Sequence, residues 1–77
     1  MIPDDTGDTP LTQEAARELE AAIHDARVAF DCIELGEIDR AHTSAVTARV
    51  AIDAAVTAVQ AALAQAASQA EDQSAAR

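Results

Sequence analysis

From Leu11 to Arg77 the chain contains no proline and one glycine, Gly36. A strand-rich fold needs turn residues every few positions, because each short strand must reverse direction. Punctuation this sparse permits long helices and a single reversal. The expected fold class is therefore all-α: an antiparallel hairpin of two long, alanine-rich helices.

Residues 1–11 hold Pro3, Gly7, Pro10 and three aspartates, and read as a flexible acidic lead-in. Helix 1 is expected over residues 12–35, with the Thr12 hydroxyl capping the first free N–H groups and Leu11 stapled toward Ala16. Thr9 as cap with Pro10 at the first helical position is an equally physical start. Glu14 then suits the positive end of the helix dipole. Gly36 is the natural left-handed residue at the helix end, residues 36–38 make the turn, and Asp39 caps helix 2. Helix 2 is expected over residues 39–70, with residues 71–77 a frayed polar tail.

Apolar residues recur at helical spacing on both segments. Ala16, Leu19, Ile23, Ala26, Phe30 and Ile33 follow a 3-4 pattern on helix 1; Ala45, Ile52, Val56, Val59, Leu63, Ala66 and Ala70 fit the same grid on helix 2. Folding the chain about the turn pairs Ile33 with His42, Phe30 with Ala45, Ala26 with Arg49, Ile23 with Ile52, Leu19 with Val56 and Ala16 with Val59. Each pair of residue numbers sums to 75, so one register serves every layer. These residues form the expected seam, Arg49 snorkels from it past Ala26, and Ala58 falls on the outer face.

A second apolar strip lies alongside, with Ala21, Ala22, Val28, Ala29 and Leu35 on helix 1 and Val46, Val50 and Ala54 on helix 2. An isolated pair of helices needs one stripe each; a four-helix bundle needs a wider one. Composition points the same way. Of 77 residues 49% are hydrophobic, and alanine supplies most of them, so a short chain has little large apolar surface to bury alone. A homodimeric four-helix bundle is expected. Its self-association or partner surface is Val28, Leu35, Val46 and Val50, joined by Ala66 and Ala70, where helix 2 outruns helix 1 and docks on another chain.

The formal charge is −9, from 14 acidic and 5 basic residues. Direct contact with nucleic acid or an anionic membrane is disfavoured, because both demand cationic surfaces. Polar residues interrupt every apolar run, so no membrane span is expected. The first ten residues lack the apolar stretch of a signal peptide. Cys32 is the sole cysteine, which excludes an intrachain disulfide and fits a reducing cytoplasm. It reads as a structural thiol, or as half of a disulfide across a dimer axis.

Two carboxylate–histidine pairs have helical spacing: Glu20 with His24, and Asp39 with His42. Each is a metal candidate: the register brings the carboxylates of Asp31 and Glu34 near His42, and with two histidines in the chain a site is thin unless a dimer doubles it. The simpler reading is a solvated i,i+4 pair for the first and a capping aspartate for the second. No glycine-rich phosphate loop or nucleophile–base constellation is present, and the expectation is a protein without enzymatic activity and without cofactor. The segment from Leu35 to Ala41, LGEIDRA, resembles the turn between the two helices of a tetratricopeptide repeat. That resemblance spans one turn, and helix 2 is too long for a repeat of about 34 residues, so it reflects shared hairpin chemistry. The functional expectation is a small acidic protein–protein interaction module of adaptor, inhibitor or antitoxin-like kind, with an unidentified protein partner besides itself. The alternatives are a nucleic-acid mimic that occupies a basic DNA-binding protein, and a metal–carboxylate bundle assembled across a dimer.

Overall fold

The computed structural model describes residues 9–75. They form two helices, α1 (Pro10–Glu34) and α2 (Ile38–Ala75), packed on each other as a helical hairpin. Residues 1–8 of the expected lead-in, and residues 76 and 77 of the expected tail, lie outside the described residues.

Helix α1 starts at the earlier of the two candidate positions. Thr9 is the cap and Pro10 the first helical residue, where the missing N–H of proline costs nothing. The Thr12 N–H donates to Thr9 Oγ1 at 3.1 Å, and the Thr9 N–H donates back to Thr12 Oγ1 at 2.7 Å. This reciprocal pair is a capping box built from two threonines. Thr12 therefore closes the first turn from inside it. Glu14 falls beyond that turn, which carries no acidic residue.

The end of α1 follows the glycine. Leu35 remains right-handed, and Gly36 takes φ +78, a conformation in which any Cβ crowds its own carbonyl. The Glu37 N–H then reaches the Cys32 carbonyl at 2.8 Å and the Gly36 N–H the Ile33 carbonyl at 3.0 Å. This is the Schellman arrangement, which satisfies two carbonyls that the helix end would leave open. The Ala41 N–H bonds the Glu37 carbonyl at 2.9 Å, so Glu37 rather than Asp39 occupies the cap position of α2. Asp39 sits within the first turn instead, where its negative charge complements the positive end of the helix dipole. Arg40 Nη1 donates to Glu37 Oε1 at 2.8 Å across the connection, an exposed pair. Helix α2 continues five residues past the expected Ala70, through the polar sequence to Ala75.

The seam is the main correction to the sequence reading. The buried side chains are Ala15, Ala22, Ala29 and Cys32 on α1, and Ala41, Ala48, Ala51, Ala55 and Ala58 on α2. Leu11, Glu18 and Asp25 complete the α1 stripe as half-buried residues, and Ser44 and Ala62 do so on α2. Cys32 and Ala41, Ala22 and Ala51, and Ala15 and Ala58 lie equal distances either side of the connection. The expected seam residues Leu19, Ile23, Phe30, Ile33, Ile52, Val56, Val59 and Leu63 are all exposed, as are Ala16, Ala26, His42, Ala45 and Arg49. Ala58, expected outside, is in the seam. Methyl-sized side chains at heptad spacing let two helix backbones approach at the short end of the usual 8–10 Å range. Branched side chains at those positions would hold them apart.

Candidate interaction surface

The hairpin measures 62 × 29 × 13 Å between Cα atoms, so it is one helix layer thick. A layer of helices carries two broad faces, and stable domains cover at least one of them with a second layer. Here the helices spend their small residues on each other and turn their large ones outward.

Eight of the eleven exposed large side chains each follow a seam position by one residue, and Leu35, Ile38 and Val50 are exposed elsewhere. Leu19 follows Glu18, Ile23 follows Ala22, Phe30 follows Ala29 and Ile33 follows Cys32. On α2, Ile52 follows Ala51, Val56 follows Ala55, Val59 follows Ala58 and Leu63 follows Ala62. One residue is a rotation of about 100° around a helix. The large residues of each helix thus form a single stripe beside its seam, with exposures from 42% to 66%. A shallow hollow on α1 lies over Ala26 and is lined by Ile23, Arg27 and Phe30.

The strip expected to mediate association is distributed differently. Val28, Val46 and Ala54 are half-buried, while Leu35, Val50, Ala66 and Ala70 are exposed. Ala22 and Ala29, assigned to that strip, belong to the seam. Near Val46 and Val50 the hydroxyls of Thr43, Thr47 and Thr57 donate to the carbonyls of Asp39, Thr43 and Asp53, at 3.0–3.2 Å. Those hydroxyls are satisfied within α2.

Glu20, His24, Asp39 and His42 are all exposed. Among the described residues no group of three or more His, Cys, Asp or Glu is placed to hold a metal ion. Cys32 is a free, buried thiol within the hairpin's own seam. The half-buried carboxylates are Glu18, Asp25 and Glu37; Glu20, Asp31 and Glu34 are exposed. The segment Ile38–Ser74 is long and apolar enough to cross a membrane by length and composition, with mean hydropathy 1.4 in its most apolar window. The core helix of a soluble protein passes the same test but is mostly buried, whereas this window is 17% buried within the hairpin; Arg49 and Asp53 are charges near the middle of the segment.

No protein-family model, characterised protein or solved structure matches this chain.

Proposed function

We propose that this chain is a small, acidic, non-enzymatic protein–protein interaction module of the cytoplasm. In this reading the hairpin is antiparallel and pairs with a second copy of itself into a four-helix bundle. The bundle then engages a protein partner as an adaptor, inhibitor or antitoxin-like component. The observation that carries the reading is the inversion of side-chain size: the buried seam is eight alanines and a cysteine, while every large aliphatic side chain of the Leu19–Leu63 stripes faces outward. Alanine methyls contribute about 0.8 kcal/mol each on burial. A core of that kind leaves the fold dependent on a second layer.

Val28, Leu35, Val46 and Val50 remain the proposed contacts for the further partner, Ala66 and Ala70 those of the α2 overhang with a second copy or that partner, and Asp31 and Glu37 supply charge that a basic surface would meet. Sedimentation equilibrium at micromolar concentration tests the self-association. A mass of twice the 8.0 kDa chain is expected. The unfolding midpoint should rise with protein concentration, since association stabilises by mass action. A folded 8.0 kDa monomer with a concentration-independent midpoint would overturn the reading.

A further inference from the structure

We infer that the occupant of the face formed by Leu19, Ile23, Phe30, Ile52, Val56 and Leu63 is a second copy of this chain, set face to face with Ala26 near the middle of the contact. This assigns the interface within the self-associating reading above and rests on it.

Stepping one residue from the seam turns a side chain about 100° in the same sense along each chain. In two helices running in opposite directions that step leads both to the same broad face of the layer. The α1 and α2 stripes therefore merge into one apolar sheet of side chains on one side of the hairpin. Helix α1 has 25 residues, about 37 Å at ~1.5 Å per residue, and two adjacent helices are roughly 20 Å wide. Two such faces in contact would bury about 1,400 Å², within the range of stable protein interfaces.

Charge selects the occupant. The merged face contains no Asp or Glu: its α1 positions are 16, 19, 23, 26, 30 and 33, and its α2 positions 42, 45, 49, 52, 56, 59 and 63. Its one permanent charge is Arg49, and Arg27 stands at the border of the hollow over Ala26. Two chains of −9 can approach closely only where their carboxylates are absent, and this is such a face. Glu20 and Glu34 lie on the outer edge of α1, where the Arg27 and Arg49 guanidinium groups of an apposed copy find opposite charge. A basic partner would be drawn to the acids and away from here. The seam adds a second reason. A cover that the fold needs continuously must be present whenever the chain is made, and another copy of the chain always is.

The test places single thiols on the two sides of the layer. In a Cys32→Ala background, which keeps the seam methyl-sized, Ala26→Cys marks the inferred interface and Val50→Cys the opposite side. Alkylation rates are measured together with sedimentation, with and without neutral phosphatidylcholine vesicles. Ala26→Cys should react roughly tenfold more slowly than Val50→Cys when the protein is well above its dissociation constant, and the protection should vanish on dilution. Equal reactivity in a sedimenting dimer would overturn the face assignment and leave self-association standing. A folded monomer at every concentration would overturn both. Protection that appears only with vesicles would overturn the second copy in favour of a lipid surface. These variants alter small or exposed residues and keep the seam. Ile23→Asp adds a check that places a charge in the interface: it should dissociate the assembly, whereas Val50→Asp should leave the dimer intact.

Discussion

Ala22 and Ile23 are consecutive residues with opposite environments: Ala22 is 3% exposed in the seam, and Ile23 is 62% exposed on the apolar face. The peptide bond between them marks the boundary between the intrachain contact and the surface that remains open. Enlarging the seam residue should therefore be costly, while trimming the outer one should act through association. Ala22→Leu should destabilise by about 1–3 kcal/mol, because the helices must separate or the side chain must leave its preferred rotamer. Urea titration would measure this as a lower midpoint at every protein concentration. Ile23→Ala should lower the midpoint only where the wild type is assembled. Equal and concentration-independent losses for both would mean that the two residues share one core.

The reversal is the next test. A Cβ added to Gly36 meets nothing within 4 Å, so the cost of Gly36→Ala is conformational and not steric crowding by neighbours. Holding alanine at φ +78 should cost about 1–2 kcal/mol. A D-alanine at the same position, introduced by chemical ligation, favours that φ and should restore the wild-type urea midpoint. Failure of the D-residue to restore it would show that the loss arises elsewhere in the connection.

At the other end of α1, Thr9→Ala removes the acceptor for the Thr12 N–H and should cost about 1 kcal/mol. Thr9→Ser keeps the oxygen and should stay close to wild type. Amide exchange would localise the effect, with the Thr12 N–H losing protection in the alanine variant alone. An unchanged exchange rate at Thr12 would mean that the box does not hold the helix start.

The helix count, the reversal at Gly36 and the alternative start at Thr9 were legible in the sequence because each depends on local chemistry: missing breakers, a left-handed turn residue, and a hydroxyl before proline. The seam was not. Two heptad stripes run beside each other on each helix, one of alanines and one of large residues, and hydropathy favours the large one. What decides between them is the distance of approach, a property of the pair of helices and invisible in either alone. The available signal was the strict seven-residue recurrence of Ala15, Ala22 and Ala29, and of Ala41, Ala48 and Ala55. Regular small residues mark close backbone contact more specifically than large ones mark a core. Arg49 carried the same message, since a guanidinium is easier to accommodate on an open face than in a seam of methyl groups.

The last prediction concerns the part of α2 that α1 cannot reach. Helix α2 has 38 residues against 25 in α1, a difference of about 20 Å at ~1.5 Å per residue. The half-buried Ala62 is the last α2 residue with cover, and residues 63–74 are all exposed. Residues 64–74 contribute no burial to the seam, so on deleting residues 64–77 the ellipticity per remaining residue should be unchanged. Ala66 and Ala70 continue the stripe of Ile52, Val59 and Leu63 past the end of α1. Two methyls at about 0.8 kcal/mol each would weaken self-association by roughly tenfold or more if that overhang docks on the other copy. Sedimentation of the truncated chain measures the change, and amide exchange on the intact one locates it. A truncated chain that associates as tightly as the full one, with residues 64–74 unprotected in the intact assembly, would show that this stretch is an uncovered helical tail with no part in the contact.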